Sequence, residues 1–322
     1  MNFTYHNDKS NIFLGRRVDS SERGDTCRLH QIAQPLGDPL PDSLNGQAVV
    51  LGFCCDEGVN RNHGRMGARQ APDHVRRALA GLPAHKLQRL YDAGDIGCDD
   101  NNLELAQSRL ANRIGTLLNT SSRLAVIGGG HEIAYGSYLG LDQHLQATAQ
   151  PGTVLVLNLD AHFDLRTSRP GSSGTPFDQV LEHATQHGRS VRYCCLGVSL
   201  LSNTPALFER ARELGVTYLE DTQMQESQLP QIRQFVAAQL QEVSHLYLTI
   251  DMDVLPAWQA PGVSAPAAYG VSLSVIEAIL GMAQESGKLR LLDIAEVNPE
   301  YDHDGLTAKT AARLIWRYLQ PA

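Results

Sequence analysis

Three short stretches of this sequence concentrate carboxylates and imidazoles: Gly128-Gly129-Gly130-His131-Glu132, Asp160-Ala161-His162-Phe163-Asp164 and Asp251-Met252-Asp253. In extended backbone, residues two apart project to the same side. Asp160, His162 and Asp164 therefore form one cluster, and Asp251 with Asp253 another. Brought together at one strand mouth, such groups repel each other or need protons. A pair of metal ions removes the conflict by supplying positive charge. With His131 the set becomes four aspartates and two histidines, a mixed oxygen and nitrogen donor set that favours Mn, Mg or Fe over thiolate-seeking metals. The imidazoles tip the choice from Mg to Mn, and zinc stays open. Alone, an Asp-x-Asp after a strand is usually a turn or a helix cap, and Gly-Gly-Gly-His a tight turn. The three together, at separate strand ends, point to a metal site.

The elements that must aim these residues are apolar, β-branched runs alternating with helical patterns. Strands are expected over Ala48–Phe53, Leu87–Ala93, Leu124–Gly128, Val154–Asp160, Val191–Val198, Val216–Leu219, Leu246–Asp251 and Leu289–Ile294. Helices are expected over Ala71–Leu82, Leu103–Leu118, Ile133–Leu145, Phe177–His187, Pro205–Leu214, Pro230–Val243, Leu273–Ser286 and Leu306–Leu319. Several strands read as near-continuous hydrophobic runs, the mark of parallel strands buried on both faces. The alternation implies a doubly wound parallel sheet or a closed barrel. In open sheets of this class, ligands bind beyond the carboxyl ends of the strands, which is where the three stretches and Glu296 fall. Residues 1–45 look irregular and read as an N-terminal arm. Residues 46–322 read as one catalytic domain, without internal repeats or a dividing linker.

Bulk properties narrow the function classes. The chain has 322 residues, of which 42% are hydrophobic, enough for a sizeable core. Its net charge of −8 argues against nonspecific binding to nucleic acid or anionic membranes. The first residues, Met1 to Asp19, carry no apolar core and no small-residue cleavage site, so no secretory signal is expected. No window approaches the roughly 18 apolar residues of a membrane span. The six cysteines show neither Cys-x-x-Cys nor zinc-finger spacing and read as free thiols of a cytoplasmic protein.

The blocks GGGHE (128–132), DAHFD (160–164) and DMD (251–253) resemble the three signature blocks of the arginase/agmatinase ureohydrolase superfamily, over roughly residues 45–319. The resemblance implies a three-layer α/β/α sandwich around an eight-stranded parallel sheet. It also implies two Mn2+ per subunit at the sheet's mouth and a homo-oligomer, a trimer or hexamer. By match to the motifs, His131, Asp160, Asp164 and Asp251 would hold one ion. Asp160, His162, Asp251 and Asp253 would hold the other, with Asp160 and Asp251 bridging. Two metals roughly 3.5–4 Å apart share a water and lower its pKa toward neutrality. The hydroxide would attack a planar amidine or guanidine carbon. The catalytic candidates are His131, Asp164 and Glu296. Asp164 would pass a proton to the leaving nitrogen, and Glu296 matches the family carboxylate that grips the substrate's N–H groups.

Two stretches narrow the substrate. Asp56 to Arg69, and Asp164-Leu165-Arg166 followed by Ser172 to Phe177, resemble the branch of the family that hydrolyses N-formimidoyl-L-glutamate to L-glutamate and formamide in histidine degradation. Many arginases and agmatinases carry a histidine in the second loop, and this sequence has none there. Asp251 to Pro266 likewise departs from the common DPxxxPGTGTP form. An amidine with two carboxylates calls for cations near the mouth, and Arg166, Arg61, Arg65 and Arg69 are sensible anchors, since arginine pairs with carboxylate bidentately. Asn62 and Ser173 would add hydrogen bonds. The alternative is a ureohydrolase acting on a guanidino acid such as guanidinobutyrate or arginine, with release of urea. Two other classes predict different behaviour: a metal-dependent binding protein would hold ligand without turnover, and a single-zinc deacetylase would carry fewer acidic ligands.

Overall fold

The computed structural model describes residues 23–37, 40–41, 43–44, 46–120 and 123–321. Most of the expected N-terminal arm, residues 1–22 with 38, 39, 42 and 45, lies outside the described residues. The strands are β1 (Ala33–Pro35), β2 (Ala48–Cys54), β3 (Leu90–Gly97), β4 (Arg123–Ile127), β5 (Val154–Leu159), β6 (Val191–Val198), β7 (Thr217–Glu220), β8 (His245–Asp251) and β9 (Leu289–Ala295). They form one sheet in the order β1-β3-β2-β4-β9-β8-β5-β6-β7, and the pairings between neighbours are parallel. The sheet is open, with β1 and β7 at its edges, so the barrel alternative does not hold.

Among the described residues, nine strands replace the expected eight. The extra one, β1, comes from the arm and pairs with β3 from Ala33↔Leu90 to Pro35↔Asp92. Three partly exposed residues ending in proline carry too little periodicity to be read as a strand, and an edge position tolerates the missing N–H.

Strand residues alternate between the two faces. Val50 packs into one core cluster, while Val49 and Leu51 pack into the other. The first cluster takes in Val75, Ile232, Ile276 and Leu314, from helices Ala71–Ala80, Leu229–Gln241, Leu273–Glu285 and Leu306–Leu319. The second takes in Leu110, Leu141, Phe177 and Ala211, from helices Leu103–Leu118, Ile133–Ala147, Pro176–Gln186 and Pro205–Glu213. The result is the expected three-layer α/β/α sandwich.

Among the expected strands the bounds shift most at β3, which starts three residues later than predicted and runs on through Asp92-Ala93-Gly94-Asp95. Two acids and a glycine look like a loop. They lie in a strand because Arg76, fully buried on the helix Ala71–Ala80, meets them. Its Nε is 2.8 Å from Asp92 Oδ2, its Nη1 2.6 Å from Asp95 Oδ1, and its Nη2 donates to the Gly94 carbonyl at 2.9 Å. Buried charge is tolerable when paired and hydrogen-bonded in this way. Gly52 on β2 makes the room, since a Cβ there would sit 1.9 Å from Asp95 Oδ1.

Candidate metal centre

The strand order places β4, β9, β8 and β5 side by side. Their carboxyl ends lead into His131, Glu296, Asp251–Asp253 and Asp160–Asp164 respectively. His131 Nδ1 lies 3.1 Å from Asp160 Oδ2, 2.9 Å from Asp164 Oδ2 and 3.2 Å from Asp251 Oδ2. His162 Nδ1 lies 3.0 Å from Asp253 Oδ2 and 3.5 Å from Asp160 Oδ1. Among the described residues, the ligand atoms fall into two groups able to hold a metal: His131, Asp160 and Asp251, and Asp160, His162 and Asp253. Asp160 belongs to both.

The convergence comes about differently from the extended-backbone reading. Asp251 ends β8, but Asp253 sits in a 3-10 turn, Met252–Val254, and its N–H donates to Asp251 Oδ1 at 2.8 Å. The His162 N–H donates to Asp160 Oδ1 at 2.6 Å, and Asp164 adopts a φ of 49°, a left-handed conformation that a non-glycine residue takes only where its surroundings hold it. Around this turn, Asn203 accepts from the Phe163 N–H at 3.0 Å and donates to the Ala161 carbonyl at 2.9 Å. Asn158 donates to Asp160 Oδ2 at 2.9 Å, and Tyr193 Oη donates to the Phe163 carbonyl at 2.9 Å. Glu296, with a φ of 66°, accepts the His131 N–H on Oε1 at 2.9 Å.

The electrostatics of the cluster fit a cationic guest. Burial, then the neighbouring Asp160 charge, pushes the Asp164 carboxyl up to about 6. Burial, then Asp253 and Asp160, raises Asp251 well above the usual carboxylate range. Burial raises Asp253. Burial and Glu132 push Glu296 up to about 8. Burial would lower both histidines, yet the surrounding aspartates raise His131 and His162 well above the ordinary value. Asp160 moves the other way: burial raises it, and hydrogen bonds from the two histidines more than reverse that. Without added positive charge these groups are compensated only by holding protons. Among the described residues, His131 Nδ1 has no hydrogen-bond partner of good geometry, although it is fully buried, which leaves this nitrogen aimed at the cluster. The donor set and this nitrogen fit a pair of divalent cations.

The cavity above the cluster is lined by Asn62, Arg166, Ser173 and Glu296 together with His131, His162, Asp164, Asp251 and Asp253. Arg166 and Asn62 meet over Gly174, where a Cβ would lie 3.0 Å from Arg166 Cδ and 3.2 Å from Asn62 Nδ2. The other three arginines turn elsewhere. Arg61 pairs with Glu57 at 3.0 Å and Glu104 at 2.6 Å. Arg65 donates to the carbonyls of Ser264 at 2.8 Å and Val263 at 2.6 Å, and lies over the Tyr301 ring. Arg69 faces Asp99 on the exposed surface, 3.5 Å away. Local acids and carbonyls have taken these guanidinium groups. Sequence reasoning missed the cavity-lining Ser202, Asn203 and Leu207 after β6, and Ser264 and Ala265 after β8. Their signal was a place in the segments that follow β6 and β8, and Ser264 and Ala265 lie within the Asp251 to Pro266 stretch that departs from the common family form.

No disulfide links any of the six cysteines, all of which are among the described residues. No helix among the described residues is long and apolar enough to cross a membrane.

The arginase family model matches residues 46–320. The formimidoylglutamase of Cupriavidus pinatubonensis is 54% identical over 303 residues, covering 94% of this chain and 96% of its own. That of Paraburkholderia xenovorans is 49% identical, covering 97% and 98%. Among solved structures, formimidoylglutamase from Bacillus subtilis superposes with a TM-score of 0.79 at 22% identity, over 94% of both chains, a likeness of fold alone. Trypanosoma cruzi formiminoglutamase with Mn2+ superposes with a TM-score of 0.71 at 26% identity, over 86% of this chain and 93% of that one.

Proposed function

This chain is an enzyme of the arginase family, and on that premise we propose that it hydrolyses N-formimidoyl-L-glutamate to L-glutamate and formamide. The observation that carries the reading is Arg166. Its exposed guanidinium lines the same cavity as Glu296 and the metal-ligand cluster, and no ion pair or side-chain hydrogen bond holds it among the described residues. A substrate with an amidine at one end and carboxylates at the other matches a cavity with acids at its floor and a free arginine on its wall.

In this reading His131, Asp160, Asp164 and Asp251 hold one Mn2+, and Asp160, His162, Asp251 and Asp253 the other. When bound, the pair supplies Lewis-acid activation of water near neutral pH. Glu296 engages the amidinium: its Oε1 is used by the His131 N–H, and its Oε2 has no hydrogen-bond partner among the described residues, so it is open to a substrate N–H. Asp164 carries a proton to the leaving nitrogen. Arg166 takes a substrate carboxylate bidentately, and Asn62 and Ser173 add hydrogen bonds from the same wall. The proposal extends to a cytoplasmic homo-oligomer, with residues 1–45 as an arm on a single catalytic domain.

The test is product identity. Manganese-loaded protein is incubated separately with N-formimidoyl-L-glutamate, arginine and guanidinobutyrate, and formamide is measured against urea. Formamide from the first substrate alone is expected. Urea from a guanidino acid, with no turnover of the formimidoyl substrate, would overturn the assignment.

A further inference from the structure

Beneath the metal-ligand cluster runs a chain of buried polar groups that the chemistry above does not use. His131 presents Nδ1 to Asp160, Asp164 and Asp251, and its Nε2 lies 3.0 Å from Thr249 Oγ1. Thr249 on β8 is the register partner of Asp293 on β9. Burial raises the Asp293 carboxyl, and the hydroxyls of Ser137, Thr249 and Tyr247 pull it back. Tyr247 Oη donates to Asp293 Oδ2 at 2.5 Å. Thr249, Asp293 and Ser137 are completely buried, as is Tyr247, so bulk solvent does not reach them.

Thr249 has one hydroxyl proton, and it can go to His131 or away from it, to Asp293 or to the Tyr247 hydroxyl. If it goes to His131, Nε2 must be bare. Nδ1 then carries the hydrogen, which points into the carboxylate cluster where a cation would sit. If it goes to Asp293, the hydroxyl oxygen accepts an Nε2–H and Nδ1 keeps its lone pair for the cluster. Asp293 Oδ2 is already used by Tyr247, while Oδ1 is buried without a partner of good geometry among the described residues; with two lone pairs it has room for the Thr249 hydroxyl even if Ser137 also donates to it. That acceptor selects the second arrangement.

We propose that Thr249 and Asp293 are positioning residues that fix the tautomer of His131, with Nε2–H donated to Thr249, Thr249 O–H donated to Asp293, and the Nδ1 lone pair left for a cation. The inference rests on reading His131 as a cation ligand. Partners behind a metal-bound histidine typically matter about 10–100-fold in metal affinity.

The test is manganese binding by the purified full chain, counting ions per chain and measuring free Mn2+ by electron paramagnetic resonance. Thr249→Val should weaken the site containing His131 about 10–100-fold, while the site containing His162 keeps its ion, which also reports that the variant is folded. Thr249→Ser restores the hydroxyl and should restore affinity. Asp293→Asn should behave like Thr249→Val, because its Oδ1 takes the Tyr247 proton and its NH2 faces Thr249, forcing that hydroxyl proton back toward His131. Wild-type affinity at both sites in Thr249→Val or Asp293→Asn would overturn the inference. So would equal weakening of the two sites, or a Thr249→Ser variant as weak as Thr249→Val. A wild-type chain that takes up no manganese would instead overturn the metal-site reading, and this inference with it.

Discussion

A carboxylate shared between two cation sites cannot be lost at the expense of one alone. Asp251 lies 3.2 Å from His131 and, in the proposed ligand assignment, bridges both ions. Asp251→Ala should therefore strip both metals and nearly all activity, and a variant that retained two ions per chain by elemental analysis would contradict the assignment. Arg166 has a different proposed part, which is to bind the substrate and no metal. Arg166→Ala should raise KM for a dicarboxylate substrate roughly 10–100-fold, the worth of a charged hydrogen bond, at unchanged metal content. An unchanged KM would remove Arg166 from the substrate site. The clustered aspartates and histidines were legible in the sequence because few other arrangements bring such groups into such tight spacing. Arg61, Arg65 and Arg69 were not, because a guanidinium takes whatever partner the fold brings near. Arg61 finds Glu104, 43 residues away, and Arg65 finds Val263, 198 residues away. Nothing local in the sequence announces such partners.

At the scale of elements, β3 shows what periodicity does not capture. A strand containing Asp92, Gly94 and Asp95 exists because Arg76 comes from a helix to meet it. Removing the cation would leave two carboxylates buried without compensation, a loss of about 3–5 kcal/mol. Arg76→Met should therefore unfold at markedly lower denaturant concentration. The sign of its pH dependence also follows. Burial already raises Asp92, and Arg76 opposes that rise. Without Arg76 the folded-state pKa climbs further above the unfolded value. The folded variant then binds extra protons, so its stability falls as pH rises through that interval. The deficit against wild type should be larger at pH 8 than at pH 5, and a deficit that shrank with rising pH would refute this account. The helices with clear apolar faces were placed correctly because their cores, such as Leu110 and Leu314, are local and periodic.

At the scale of the whole molecule, the site exists because four strands distant in sequence lie side by side as β4-β9-β8-β5. The sequence showed that acids and histidines follow strands, but the order of strands depends on crossovers that no local pattern encodes. Since the ligands come from all across this central sheet, cations bound there tie the middle of the fold together. Their removal should lower stability: at free metal 100 times Kd, each site contributes about 2.7 kcal/mol, so chelation should lower the Tm by roughly 5–10 °C. Protons should act as the competing ligand. The Asp164 carboxyl is pushed up to about 6 in the absence of metal, so below that pH a proton occupies an oxygen the cation needs. Bound manganese should therefore be retained at pH 8 and released progressively as pH falls through about 6, with the chelator-sensitive part of the Tm vanishing over the same interval. Manganese content after dialysis at pH 8, 6 and 5, paired with melting curves with and without chelator, measures both quantities. Equal metal content at pH 5 and pH 8, or a melting temperature indifferent to chelation, would mean that the buried acids are compensated by something other than cations.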